Sequence, residues 1–297
     1  MKKQLVIISD MEGASGIFEE NISEIINGSD KWKTHGRDKM TSDVLAVCEA
    51  AIEFGIDDIM YYDAHYAGNP ESNTKLENLP ELVRVFDTPN RRFYWRRIRG
   101  QADFEPFGVI TVGQHARNGE PDAYFEHTIQ SPPIKSYWVN DIHIAEIGSA
   151  VLNFKGSKYI ANIGCAASEK EAKEISDTVH QISVKDKKRN WEPSSEETFG
   201  IIKNGVAEAL KNYQDLKTIK IEGPFKFRME LCKYYYFDIP NEISWKGHFE
   251  NQIAYWEAPS FEIGSEIFDF VRQRISISDD DLKSLKEELN NGTYCSF

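Results

Sequence analysis

Short apolar runs alternate with helical patterns over the first two thirds of this 297-residue chain. A helical pattern from about residue 41 to residue 54 carries Leu45, Cys48 and Ile52 on one stripe, as expected of a helix with one buried face. The strand-like runs around it read QLVIIS, IMYY, LVRVF and GVITVG. Strands that alternate with helices usually pair in parallel, because each helix returns the chain to the start of the next strand. The sequence therefore predicts an α/β fold with a mainly parallel sheet flanked by helices.

Further along the chain, the sequence predicts a hairpin, another buried strand and several helices. The stretch SYWVNDIHIAEIG has the pattern of a hairpin that turns at Asn140 and Asp141 and then enters a helix. KYIANIG is predicted to be a strand, and helices are predicted at about 168–180 and 195–213. TIKIEGPFKFRMELC contains two strand-like runs, and DDDLKSLKEELNNG has the composition of an exposed acidic helix.

The segment VKDKKRNWEPSSEET interrupts the α/β pattern with charged residues, Asn and Pro. We interpret it as a domain boundary or a lid segment, because the patterns that follow it differ from those before it. The sequence therefore predicts an α/β domain over residues 1–190 and a smaller C-terminal α+β domain over residues 191–297.

Charge and hydropathy exclude several classes of partner. The formal net charge is −13 and the pI is near 5.1, which disfavours nucleic acids and anionic membranes because both are polyanions. No apolar stretch approaches the roughly 18 residues that a membrane helix requires. MKKQLVIISD reaches Asp10 too early for a secretory signal, so we expect a cytoplasmic location.

The four cysteines are too widely separated for a thiolate metal site or a dense set of disulfides. We expect all of them to be reduced and most to be buried: Cys48, Cys165, Cys232 and Cys295. Oxygen and imidazole groups are then the ligands available to a metal ion.

Acids and histidines recur directly after the predicted strands. Ligands of parallel α/β sheets collect beyond the carboxyl ends of the strands, so these side chains are the candidates for a site. Two acids in the stretch SDMEGASG follow the first strand, and an acid and a histidine follow the second. The predicted hairpin and its helix add Glu146, and the loop after His115 adds His127. The full set is Asp10, Glu12, Asp63, His65, His115, His127 and Glu146.

Carboxylates mixed with imidazoles suit zinc or another borderline divalent ion. Two ions fit better than one, because a single catalytic zinc commonly uses three protein ligands and this set is larger. Each residue also has a simpler interpretation. An acid after a strand can cap a helix or lie in a solvated loop, and His65 and His115 can be buried histidines with ordinary hydrogen bonds.

Five blocks together, in this order, resemble the zinc-dependent D-aminopeptidases of the dipeptide-transport operon type, a family of self-compartmentalising metallopeptidases. They are SDMEGASG, HGRDKMTSDVLAVCEAAIEFGIDDIMYYDAH, GQHAR, YFEHT and WVNDIHIAEIG, and the resemblance covers about residues 5–175. It implies an α/β domain with a smaller C-terminal domain, and subunits assembled as a homo-oligomer, a decameric ring that encloses the active sites.

The resemblance also implies roles for individual residues. Two zinc ions per subunit would be bound by Asp10, Glu12, His65, His115 and Glu146, with Asp10 bridging them. His127 would be the catalytic histidine. Asp63 lies two residues before His65, and we expect it either to orient that histidine or to act as an ordinary turn residue.

The resulting hypothesis is a D-aminopeptidase that cleaves small peptides with a zinc-activated water, and its preference for D residues rests on the resemblance alone. One alternative is a two-metal hydrolase of another bond, such as an amide or a phosphoester. The other is a non-catalytic protein that binds metal or peptide and is linked to peptide transport.

The segment RRFYWRRIR, residues 91–99, combines arginines with aromatic residues in an otherwise acidic chain. Such segments can bind single-stranded nucleic acid. We expect instead that it pairs with acids at a subunit interface or recognises a substrate carboxylate, because arginine is a good bidentate partner of carboxylates.

Overall fold

The computed structural model describes residues 3–65, 71–86, 106–129, 131–239 and 245–291. The chain forms two compact units. Unit 1 contains Met1–Ala116, Glu120–Glu126 and Ala150–Lys220, and unit 2 contains Arg117–Gly119, His127–Ser149 and Ile221–Phe297. The predicted division after residue 190 falls inside unit 1. The segment 91–99 and Cys295 lie outside the described residues.

Unit 1 is built on a six-stranded parallel sheet in the order β3-β2-β1-β4-β7-β8. Its strands, numbered along the chain, are β1 Gln4–Ser9, β2 Asp58–Asp63, β3 Val83–Val85, β4 Pro106–Gln114, β7 Lys158–Cys165 and β8 His180–Lys185. Parallel strands covered on both faces are apolar along their whole length, which explains the continuous run in β1. The predicted α/β architecture is confirmed.

Helices cover the sheet of unit 1. They are α1 Arg37–Glu53, α3 Glu169–Ile175 and α4 Ser195–Lys211. Val44 and Val47 of α1 and Ile202 and Val206 of α4 belong to one apolar cluster with the sheet. Helix α4 begins with a capping box, in which the Ser194 hydroxyl accepts from the Glu197 backbone N–H and the Glu197 carboxylate accepts from Ser194 N–H.

Two predictions for this part of the chain were wrong. The predicted helix at 168–180 ends at Ile175, and the following HQISVK forms the edge strand β8. The charged boundary segment therefore begins inside the sheet, at Val184 and Lys185. TIKI is not a strand either, since Thr218 forms only an isolated bridge with Lys158.

Unit 2 contains a five-stranded antiparallel sheet in the order β11-β12-β9-β5-β6. These strands are β5 Ile134–Val139, β6 Ile142–Ile144, β9 Phe225–Leu231, β11 Gly247–Glu250 and β12 Ile253–Ala258, and β10 Tyr235–Phe237 pairs with β13 Ile275–Ile277. The predicted hairpin is confirmed, and Asn140 adopts the left-handed φ of 52° at its turn.

Helices follow the strands of unit 2: α5 Phe261–Arg272 and the acidic helix α6 Asp279–Asn290, while α2 Glu146–Val151 begins directly after the hairpin. The core of the unit is aromatic, with Phe227 and Trp256 stacked at 5.3 Å and Phe268 packed against Tyr137 at 4.4 Å between ring centroids. Buried aromatic rings of this size contribute much of the apolar area of a small unit.

Cys48, Cys165 and Cys232 are buried, as expected. Within the described ranges, none of the helices combines the length and the apolar composition needed to cross a membrane.

Candidate metal centre

The carboxyl ends of β1 and β4 lie side by side at the point where the strand order of the sheet reverses. Successive strands run from β1 towards β3 on one side and from β4 towards β8 on the other. In doubly wound sheets the crevice at this point is where ligands bind. Asp10 and Glu12 follow β1, His65 follows β2 and His115 follows β4, so the fold explains why these side chains can meet.

Two glycines allow the segment after β1 to lie directly against the end of β4. We call residues 10–17 the acidic loop. Gly13 N–H donates to Gly113 C=O at 2.9 Å, and a Cβ on Gly13 would lie 1.9 Å from the carbonyl oxygen of Gln114. Gly113 has φ +70°, and a Cβ there would lie 2.0 Å from Asp10 C=O. Neither position has room for a side chain.

The close approach brings carboxylate oxygens and imidazole nitrogens to contact distance. Asp10 Oδ1 lies 3.3 Å from His65 Nδ1, and Glu12 Oε2 lies 3.0 Å from the same nitrogen. Asp10 Oδ2 lies 3.2 Å from His115 Nε2. The two oxygens of Asp10 therefore face two different histidines.

These separations fit a shared metal ion. Ligands bound about 2.0 to 2.1 Å from a tetrahedral zinc lie about 3.3 Å from one another. Ligand atoms of Asp10, Glu12 and His115 lie within 4.8 Å of one another. The donor set is also chemically suitable, because oxygen and neutral imidazole nitrogen are preferred by zinc.

The hydrogen bond on the far side of His115 selects its tautomer. His115 Nδ1 lies 2.8 Å from the carbonyl oxygen of Ala116, which can only accept, so Nδ1 carries the proton. When the ring is neutral, as metal binding requires, its lone pair is then on Nε2, the atom that faces Asp10. Metal-binding histidines are typically oriented in this way.

Burial makes the electrostatics of the group strong. Asp10 is 4% exposed and His115 is 1% exposed. Burial raises the pKa of Asp10, but the hydrogen bonds and charges of His115 and His65 outweigh it and hold that pKa well below its ordinary value. Burial lowers the pKa of His65, whereas Glu12 and Asp10 raise it further, to well above 6.5. The carboxylates thus attract positive charge to this point.

Unit 2 brings together the other two predicted residues. His127 Nε2 lies 3.5 Å from Glu146 Oε1, and both side chains are less than one fifth exposed. Glu146 is the first residue of α2, so the end of the hairpin determines its position.

A family profile of peptidases, described as D-aminopeptidase, matches residues 3–253. The chain belongs to the D-aminopeptidase family. The resemblance found in the sequence is therefore confirmed, as is the prediction that the protein is a peptidase, a hydrolase of peptide bonds.

The family fold is also supported by a solved structure. It is described as the Zn-dependent D-aminopeptidase DppA from Bacillus subtilis, a self-compartmentalizing protease. The alignment has a TM-score of 0.77 and 18% identity, and it covers 93% of this chain and 100% of that one. At this identity the likeness concerns the fold. A search of curated protein sequences found no significant match.

In this D-aminopeptidase family member, Asp63 contacts a loop rather than the ring of His65. It accepts hydrogen bonds from Ser72 Oγ at 2.8 Å and from Asn73 N–H at 2.6 Å. Asn73 Nδ2 in turn donates to the backbone carbonyl of His65 at 2.6 Å. Asp63 is thus linked to the backbone carbonyl of His65 through the side chain of Asn73.

Sequence reasoning missed two residues next to the acidic loop and His65. Asn73 is one, and its Oδ1 accepts from Trp32 Nε1 at 2.7 Å in a buried position. Lys185 is the other, and its ammonium group donates to backbone carbonyls of the acidic loop. Both stand in polar stretches that are typical of solvated loops, and no periodic pattern distinguished them.

Proposed function

We propose that this member of the family is a zinc-dependent D-aminopeptidase that binds two zinc ions and removes N-terminal D residues from small peptides. The observation that carries the proposal is the position of the Asp10 carboxylate between two histidines. Each of its two oxygens lies within 3.3 Å of a different histidine. A carboxylate in that arrangement is suited to bridge two cations. Two zinc ions so held would supply an activated water at neutral pH and polarise the scissile carbonyl.

The proposed ligand sets follow from the contacts of Asp10. Its Oδ1, Glu12 and His65 would hold one ion, and its Oδ2 and His115 would hold the other. We assign Glu146 to the second set from the resemblance of the WVNDIHIAEIG block to the family.

We propose that His127 transfers a proton to the leaving amine. Its Nε2 lies 3.5 Å from the Glu146 carboxylate, and in the proposed ligand sets it is the imidazole that does not bind metal. Chirality of the substrate is assigned from the family.

The assembly and location are also proposals. We propose that the subunits form a homo-oligomer, since the structural neighbour is described as self-compartmentalizing. A decameric ring is proposed from the family resemblance, and the proposed location is the cytoplasm. Light scattering should then give a mass near ten times the 34.1 kDa of one chain. A monomer at enzymatic concentrations would contradict this.

Elemental analysis of the purified protein tests the metal centre. Wild-type protein should carry about two zinc ions per chain, and Asp10→Ala should carry fewer than one because both ions lose a shared ligand. Glu49→Ala is the matched control, since this acid lies on the exposed face of α1 and pairs only with Lys203 in the described residues. Wild-type protein without metal after growth in zinc would overturn the proposal.

A substrate panel distinguishes the reaction from its alternatives. D-aminoacyl amides should be hydrolysed faster than their L counterparts, and a phosphodiester should not be hydrolysed. Preferential cleavage of the phosphodiester would indicate a two-metal hydrolase of another bond, and zinc binding without any turnover would indicate a binding protein.

A further inference from the structure

Lys185 is a fully buried lysine at the carboxyl end of β8, with 0% of its surface exposed. Its Nζ donates to the carbonyl oxygens of Glu12 at 2.7 Å and Ala14 at 3.1 Å, and also to that of Ile17. An ammonium group has three N–H donors, so all three are used by one loop. This loop is the acidic loop, which lies more than 160 positions from Lys185 in the sequence.

Asp43 holds the same loop from helix α1 with the opposite charge. It is 0% exposed, and its Oδ2 accepts from Ser15 N–H at 2.9 Å. Lys185 thus binds carbonyl groups of the loop, and Asp43 binds an N–H group between them. We call the two residues the loop clamp.

Burial of the charged groups of the loop clamp costs free energy. A charge removed from water destabilises a protein unless it is paired and fully hydrogen-bonded, and replacement of buried charges by apolar residues of similar volume is often neutral or stabilising. The ammonium group is partly compensated by the rings of Phe18, Tyr124 and Phe125, whose centroids lie 5.3 to 6.0 Å from Nζ. An apolar pair could fill this space, but it could not bind the backbone of the loop.

We propose that Lys185 and Asp43 are positioning residues, which fix the backbone of the acidic loop so that Glu12 and Asp10 present their carboxylates to zinc. The inference rests on the proposed metal centre. The contact with Glu12 is the most direct, because the carbonyl held by Lys185 belongs to the same residue as the carboxylate that faces His65. Loss of the clamp should let the loop move while the sheet remains folded.

The test uses the full-length protein and two kinds of measurement. Lys185→Met removes the donors at similar length. Asp43→Leu removes the acceptor of Ser15 N–H and keeps the branched heavy-atom skeleton, with methyl groups in place of the oxygens. Val184→Ala is the matched control, since Val184 is the buried neighbour of Lys185 on β8 and belongs to the apolar cluster instead. Hydrogen exchange of residues 10–17 is measured in metal-free protein, and zinc affinity is measured by competition with a chromophoric chelator.

Both clamp variants should exchange faster than wild type in the acidic loop, and their zinc affinity should fall about 10- to 100-fold, as for other residues that support metal ligands. Val184→Ala should lower thermal stability without either effect. If Lys185→Met does not fold, Lys185→Gln, which keeps an N–H donor without the charge, is measured in the same way.

Three results would overturn the positioning role: a folded clamp variant with wild-type loop exchange, faster exchange with wild-type zinc affinity, or an equal loss of affinity in Val184→Ala. Failure of the proposed function is recognised separately, because wild-type protein would then bind no zinc. Loop exchange in metal-free protein would still decide whether Lys185 and Asp43 hold the loop.

Discussion

His127 is the residue whose loss should separate metal binding from turnover. Its proposed task is proton transfer, so His127→Ala should lower kcat about 10²- to 10⁴-fold and leave the zinc content at the wild-type level. The matched control is His35→Ala, since His35 is an exposed histidine near the start of α1. Loss of zinc together with activity would mean that His127 is a ligand, and unchanged kcat would remove it from the mechanism.

At the same scale, the sequence could predict residues that follow a recognisable rule. Asp10, Glu12, His65 and His115 stand directly after apolar strands, and parallel pairing was sufficient to bring them together. Lys185 could not be predicted, because it begins the charged run KDKKR, in which every lysine has the pattern of a solvated residue. Its burial depends on a loop far away in the sequence.

At the scale of elements, the contact of the acidic loop with β4 controls the site. Gly13→Ala would place a Cβ 1.9 Å from Gln114 C=O, a backbone atom that cannot rotate away. We expect a loss of about 1 to 3 kcal/mol in the free energy of unfolding, together with weaker zinc binding. Chemical denaturation and zinc competition measure the two effects.

Gly200→Ala is the matched substitution. Gly200 is an exposed residue inside α4, and a Cβ there would meet nothing within 4 Å. Alanine should therefore raise the free energy of unfolding by about 0.4 to 1 kcal/mol. The reason is that an unfolded chain with alanine has less conformational entropy to lose on folding than one with glycine. Opposite signs at the two positions would confirm the steric explanation, whereas a Gly13→Ala protein with full zinc affinity would contradict it.

Helices and strands with a long, regular hydrophobic pattern were predictable. Short elements that combine polar and apolar residues and adjoin another element were not. The strands of the parallel sheet and helix α4 were found because many residues share one pattern. The error at β8 arose because HQISVK is half polar, as expected of an edge strand, and follows the end of α3 so closely that the two patterns merged. The segment is a strand because it pairs with β7, and sequence periodicity gives no information about this pairing.

At the scale of the whole molecule, zinc should stabilise the fold by an amount that depends on pH. Zinc binds the native state and stabilises it by mass action. In metal-free protein the raised pKa of His65 adds to the free energy of unfolding. This contribution is complete below pH 6.5, the ordinary pKa of histidine, and is lost as the pH rises through the raised pKa of the folded state. Zinc requires the neutral ring, so binding displaces that proton and becomes stronger as the pH rises.

The difference in free energy of unfolding between zinc-loaded and chelator-treated protein should thus widen by about 1.4 kcal/mol per pH unit for one displaced proton, between about pH 6 and about pH 7. Asp10 adds no slope in this window, because its pKa is held below the ordinary value of 3.8 and it stays ionised. Urea denaturation at fixed free zinc measures the difference at each pH. Asp10→Ala, which is expected to bind little zinc, should show a small difference at every pH. A wild-type difference that narrows as the pH rises would show that zinc does not replace a proton at His65.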